Sequence, residues 1–178
     1  MALEELVKKD KTFSESGFIA KVDNTFIMLL TSIMTDNMPR VKHRVDTNIY
    51  YEYTNYVNEL NKKNQRQMYD ELNVKSSTII NITEDDNNFI ITVKLISRYM
   101  DYIINKDSKK LIYGNNTSRV EKSNILTFKK IKNAKDESNA RKCPGCGANV
   151  NTNSNGICEY CGSAYDTQSY DWVLTEIN

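Results

Sequence analysis

The four cysteines of this 178-residue chain fall in two short knuckles, Cys143-Pro144-Gly145-Cys146-Gly147 and Cys158-Glu159-Tyr160-Cys161-Gly162. A Cys-x-x-Cys turn aims two thiolates at one point, and two such turns supply what a tetrahedral ion requires. The glycine after each second cysteine lets the backbone turn tightly and brings amide donors toward the sulfurs. Eleven residues separate the knuckles, so a four-cysteine zinc site is expected. Four thiolates leave no open coordination position. The ion is therefore expected to hold a fold together rather than activate water. Mononuclear iron uses similar knuckles and is the alternative metal. The short spacer and the lack of a surrounding apolar shell favour zinc. Disulfides need an oxidising compartment, and the opening nine residues show no signal-peptide pattern. A redox Cys-x-x-Cys normally stands alone beside a βαβ pattern.

Other residues could do chemistry, but each has a plainer explanation beside it. Asp101 shares an alternation face with Phe89, Ile91, Val93 and Leu95, so an unbroken strand would bury its carboxylate. Buried, it could serve as a base or a ligand contact, as in ketosteroid isomerase. The plainer reading is a bend near Ser97-Arg98 and an ion pair with Arg98 or Arg119. Tyr53 and Tyr56 fall on the apolar face of a helix, where core packing is the plainer role. Tyr50 and Tyr51 are placed nearer a rim. The sharper role for these tyrosines is a pocket or groove for a peptide or ligand, since tyrosine offers contact area with a polar tip. His43, the only histidine, lies among Arg40, Lys42 and Arg44 and reads as a surface residue. No nucleophile–base pair can be assigned. Lys129, Lys130, Lys132, Lys135, Arg141 and Lys142 flank the knuckles. They read as a solvated face that offsets the negative metal–thiolate centre. The alternative is a patch for an anionic partner, lipid or RNA, although Asp136 and Glu137 interrupt it.

Composition narrows the class. The hydrophobic fraction is 39% and the charged fraction 26%, within the globular range. A formal charge of +1 lacks the basic excess of a general nucleic-acid binder. No uninterrupted apolar run reaches the ~20 residues of a membrane span, and Lys21, Asp23 and Asn24 break the longest candidate, Phe18 to Met34. A cytoplasmic location follows as the expectation, with association to a membrane surface left open.

The elements that must position these residues are legible as periodicities. Thr12-Phe13-Ser14-Glu15 fits a capping box, with Ser14 as a rival N-cap. Apolar residues at 18, 19, 22, 26, 29, 30 and 33 have helical spacing. Pro39 suits the start of a short helix over Arg40–Val45. Asp46 can cap a longer one carrying Ile49, Tyr53, Tyr56, Val57 and Leu60, and Asn61–Gln67 reads as its polar end. The period then changes to two. Strands are expected over Val74–Thr83, Phe89–Asn105, Arg119–Ile131 and Asp171–Ile177, with a short return at Leu111–Tyr113 and an interruption at Gly114. Helices followed by antiparallel strands make an α+β domain, with N-terminal helices packed on a curved antiparallel sheet. Leu126-Thr127-Phe128 is expected beside Val173-Leu174. The knuckles then lie in an enlarged connection between neighbouring strands, which zinc would help to fold.

Phe13-Ser14-Glu15-Ser16-Gly17-Phe18, the strand ending Met100-Asp101-Tyr102, Gly114, the paired knuckles and Asp171-Trp172-Val173-Leu174 together resemble a bacterial Tim44-like domain with a C-terminal zinc ribbon. The resemblance runs over roughly residues 13 to 178. It implies a cone-shaped fold of the nuclear transport factor two type. It also implies binding to membranes, polypeptides or large assemblies rather than chemistry. The expected organisation is a polar lead-in or short helix over 1–12, the cone domain over 13–132 plus 167–178, and a connector and zinc ribbon over 133–166. The expected function is a non-enzymatic binding or scaffold domain with an unidentified protein or peptide partner. A small-molecule enzyme or ligand-binding cone using Asp101 is one alternative. An RNA- or ribosome-associated zinc-ribbon protein is the other.

Overall fold

A computed structural model of the chain describes residues 1–132, 148, 160, 162 and 171–178. The four cysteines, Lys135, Arg141 and Lys142 lie outside the described residues.

The helices come first: α1 (Leu3–Lys9), α2 (Glu15–Met34), a 3-10 turn (Met38–Val41) and α3 (Thr47–Lys62). Ser14, not Thr12, caps α2. Its hydroxyl accepts from the Gly17 amide at 3.3 Å, whereas the Thr12 hydroxyl donates to Asp10 at 2.6 Å. Phe18, Val22, Phe26, Leu29, Leu30 and Ile33 form the buried stripe of α2. That helix is long and apolar enough, by length and composition, to cross a membrane. Here the stripe faces the sheet, and packing accounts for its apolar character. Ser77 Oγ donates to Asp23 of α2 at 2.5 Å.

The expected helix over Arg40–Val45 is shorter, because its last residues have another task. Val45 forms a parallel bridge to Leu174. The Leu174 amide donates to the Arg44 carbonyl at 2.9 Å, and the Asp46 amide donates to the Leu174 carbonyl at 2.8 Å. Backbone committed to a strand cannot also complete helical hydrogen bonds. Asp46 then caps α3 as expected, accepting from the Ile49 amide at 2.9 Å.

Five described strands follow: β1 (Gln65–Glu84), β2 (Asn88–Asn105), β3 (Leu111–Gly114), β4 (Val120–Ile131) and β5 (Val173–Ile177). They pair antiparallel in the order β1-β2-β4-β5, and β3 extends the sheet along the far end of β2. Phe128 faces Leu174 and Lys129 faces Val173, the adjacency expected of β4 and β5. β1 starts at Gln65, nine residues before the expected start at Val74. Asn64, with φ +55°, turns the chain out of α3 and sets Gln65 opposite Asn105.

Along β2, Phe89, Ile91, Val93 and Leu95 are all buried. They belong to one core with the stripe of α2, and also with Leu126, Phe128 and Leu174. Phe18 packs edge-on against Phe128 and Trp172, with ring centroids 5.6 and 5.1 Å apart. Residues 1–12 are not a detached lead-in. Leu6 is fully buried in this core, and Asp10 makes a buried ion pair with Lys130 at 2.7 Å. Burial alone would raise the Asp10 carboxyl pKa, but hydrogen bonds from Lys130 and Thr12 outweigh it and hold the group below its ordinary value.

Candidate functional site

The buried alternation of β2 runs through Ser97 to Tyr99 and stops there: Asp101, next on that face, is only half-buried, and Tyr102 is the buried residue instead. The neighbours of Asp101 differ from those expected. One carboxylate oxygen accepts from Gln67 Nε2 at 2.8 Å, and the other lies 3.6 Å from Lys122. Neither Arg98 nor Arg119 is the partner, and Arg119 pairs with Glu71 at 3.4 Å. The Asp101 side chain retains 36% of its exposure, so this carboxylate sits at the boundary of the core.

Gln67 is the joint of the site. Its carbonyl accepts from the Tyr56 hydroxyl at 2.7 Å. Its amide nitrogen reaches Asp101 and also the Met68 and Tyr102 carbonyls, at 3.0 and 3.1 Å. Gln67 is 5% exposed, and a buried amide with these partners is satisfied rather than costly. Tyr69, opposite Asp101 in the β1–β2 register, packs edge-on against Tyr99 with ring centroids 5.4 Å apart. Tyr53 sits half-buried against the core. The expected pocket residues Tyr53, Tyr56 and Asp101 are therefore grouped, with Gln67, Tyr69 and Tyr99 completing the group.

The phenols report the chemistry of this corner. Burial raises the pKa of Tyr56 and Tyr69, and the Asp101 charge adds to it. Burial and the same carboxylate push Tyr99 up to about 12. Tyr53 is also raised, by burial first and then by Glu52 and Tyr56. Next door, Tyr102 donates to the Asp70 carboxylate, and that bond, with burial, pushes its phenol up to about 12. These tyrosines stay protonated at neutral pH. They can donate hydrogen bonds and offer aromatic faces, but they cannot act as phenolate bases there.

Gly114 fixes the far side of the corner. Its φ is +89°, and a Cβ there would overlap the Asp101 carbonyl oxygen and the Tyr102 Cα. Only glycine permits this close approach of β3 to β2. The Asn115 amide then donates to the Asp101 carbonyl at 3.0 Å.

Among the described residues, two clefts lie elsewhere. One of about 210 Å³ opens between the start of α2 and the end leading into β5, lined by Phe13, Phe18, Lys21, Lys130, Asp171 and Trp172 among others. A second, of about 320 Å³, runs beside Ile79, Ile80 and Ile82 under Met1 and Leu3. Of the basic residues flanking the knuckles, Lys130 points inward. It is 9% exposed and bonded to Asp10 and Thr12, so it contributes nothing to a solvent-facing patch. Lys132 pairs with Glu84 at 2.8 Å over the Phe89 ring. His43 is half-buried in the turn after Val41.

Gln67 could have been found only with the correct start of β1. From Gln65 onward, a period of two places Gln67 and Tyr69 on one face. Read as a helix tail, the same residues carry no such signal.

A family model described as the Tim44-like domain matches residues 1–139. No curated protein matches. A crystal structure of the intermembrane space region of chloroplast protein ARC6 aligns over 93% of this chain and 95% of that one, at 10% identity and a TM-score of 0.46. That likeness is too weak to bear on function.

Proposed function

This chain belongs to the Tim44-like domain family, and from that premise we propose that it is a binding or scaffold domain without catalytic chemistry of its own. The match over residues 1–139 carries the proposal. Domains of this family interact with proteins or membranes, and a protein or peptide partner is the reading taken here. The geometry of Asp101 supports it. Both oxygens have neighbours, and the surrounding phenols are held protonated. A general base needs a lone pair aimed at a bound substrate, and neither described cleft is lined by Asp101. Turnover is therefore not expected in a broad screen of small-molecule substrates. Turnover that Asp101→Ala abolishes would overturn the proposal and establish the enzyme reading.

The proposal includes a structural zinc held by Cys143, Cys146, Cys158 and Cys161, in a chain that works in the cytoplasm of a bacterium. The support is the spacing of the two knuckles, which matches four-thiolate sites. Elemental analysis of freshly purified protein is expected to find about one zinc per chain, lost in Cys146→Ser or Cys161→Ser. Metal-free wild-type protein would remove the zinc from the proposal. The helix-and-sheet body is expected to survive metal removal, because its core residues lie outside the knuckles.

A further inference from the structure

The cleft of about 210 Å³ at the start of α2 joins two stretches far apart in the sequence, one holding Phe13 and Phe18, the other Asp171 and Trp172. Its apolar wall is Phe13, Phe18 and Trp172, whose ring centroids lie 5.7, 6.0 and 5.1 Å apart in pairs. Its polar wall carries Lys130 and Lys21, paired with Asp10 and Asp171. Arg44 also feels the Asp171 charge, so these two carboxylates are outnumbered by three cations. Glu15, the acid of the first turn of α2, lines the second cleft instead.

The hydrogen bonds of that polar wall do not balance. One oxygen of Asp10 accepts from the Thr12 amide and hydroxyl at 3.1 and 2.6 Å, and the other accepts from Lys130 at 2.7 Å. One oxygen of Asp171 accepts from the Trp172 amide at 2.7 Å, and the other accepts from Lys21. The ammonium groups are less fully used. Lys130 is 9% exposed and donates to Asp10 and Thr12 alone among the described residues. Lys21 donates to Asp171 alone among them. An ammonium has three donors and no acceptor, so charged donors remain to spare while the carboxylates are taken. A donor buried as deeply as Lys130 is costly without an acceptor. The cleft exceeds one water's share of liquid volume, about 30 Å³, several-fold.

Gly17 lines the same cleft. It sits inside α2, where glycine is unfavourable. The fold does not require it there. A Cβ would meet only Ser14 Cβ and Oγ, both at 3.5 Å, an ordinary contact. Gly17 and Lys21 are four residues apart and share a helix face, so the missing side chain leaves room beside the lysine. We propose that this cleft binds a small organic anion, a carboxylate or phosphate ester on a short apolar body. The oxyanion accepts from Lys130 and Lys21, at the helix end whose dipole favours negative charge. The body lies against the Phe13, Phe18 and Trp172 wall, over the space that Gly17 leaves. This ligand site goes beyond the binding-domain reading and does not depend on it.

Trp172 is the single tryptophan of the chain and lines the cleft, so its emission reads the site directly. The test titrates the full chain with phenylacetate and with phenyl phosphate. Benzyl alcohol and benzylamine serve as neutral and cationic controls of similar size. A saturable emission change is expected with at least one anion, at an affinity of about 1 mM or tighter. Both controls should bind at least about ten-fold more weakly. A response to one anion alone supports the inference and identifies the head group. Gly17→Leu fills the space and should lower anion affinity by about ten-fold or more. Its Tm should hold or rise, because leucine favours a helix over glycine. Lys21→Gln removes a charged donor, should lower affinity by about five-fold, and serves if the leucine variant misfolds. No saturable change with either anion, equal affinity for either control, or a folded variant that binds as wild type would overturn the inference. That failure leaves the binding-domain reading standing. Turnover dependent on Asp101 defeats that reading without touching the titration.

Discussion

The two halves of β2 follow one alternation and fill it with different chemistry. From Phe89 to Leu95 the inward positions are apolar and buried in the same core as the α2 stripe. From Ser97 to Asp101 they are a hydroxyl, a phenol and a carboxylate, closed by Gln67 and Tyr56 of neighbouring elements. Apolar burial is non-directional and tolerates substitution if volume is kept. A buried polar network succeeds only if each member meets its partner. The first half holds the helices on the sheet, and the second fixes one arrangement at its edge.

The comparison can be broken most forcefully in the apolar half. Leu95→Ala is expected to cost about 2–5 kcal/mol in urea unfolding, because the fully buried side chain leaves a cavity. A loss under about 1 kcal/mol would mean that the site collapses freely and does not anchor the core. Next comes Gly114→Ala, which must relieve both a positive φ and an overlap with the Asp101 carbonyl. The expected cost is about 1–3 kcal/mol, with shifted amide resonances at Asp101 and Tyr102. Unperturbed resonances there would show that the close approach is dispensable.

Asp70→Asn probes the polar half more gently. At neutral pH it should cost about 1 kcal/mol, the difference between a hydrogen bond to a charged acceptor and one to a neutral amide oxygen. The pH dependence gives a sharper test. The folded Tyr102 phenol is raised to about 12 from an ordinary 10.0, chiefly by its bond to Asp70. Its contribution is therefore complete below pH 10 and is lost as pH rises through the folded value. The variant should lose stability less steeply over that alkaline window. Parallel alkaline curves for the two proteins would count against the assigned bond. The smallest effect is expected at the boundary between the halves. Ser97 Oγ is fully buried without a hydrogen-bond partner among the described residues. Ser97→Ala should be neutral or stabilising by up to about 1 kcal/mol, since it removes an unpaired polar atom. A marked loss would place the hydroxyl in the network after all.

The apolar half was legible in the sequence because its alternation is strong and its partners on α2 repeat at helical spacing. Both main caps were legible too, although Thr12 competed with Ser14 until Asp10 claimed the threonine hydroxyl. The polar half was only partly legible. Asp101 and Tyr56 stood out by type, but Gln65–Asp70 contains residues with little intrinsic preference for strands. Pairing with β2 overrides that preference, and with it comes Gln67. α1 was legible only as a short helix offered beside a polar lead-in, for a related reason. A seven-residue helix has little signal of its own, and burial of Leu6 and the Asp10–Lys130 pair depend on strands far along the chain. Lys130 looked like one of several surface lysines, because a one-dimensional run does not reveal which members point inward.

The pairing of β5 has a mechanical consequence. β4 ends at Ile131 and β5 begins at Val173, so the intervening stretch leaves and rejoins the ladder at the Lys129–Val173 end. A pull on that stretch would load the β4–β5 rungs one after another, as a zipper opens, instead of all together in shear. The second rung lost, at Leu174, also grips Arg44 and Asp46. Tension on the cysteine-bearing segment would thus be transmitted to the joint between the 3-10 turn and α3 before it reached the centre of the sheet.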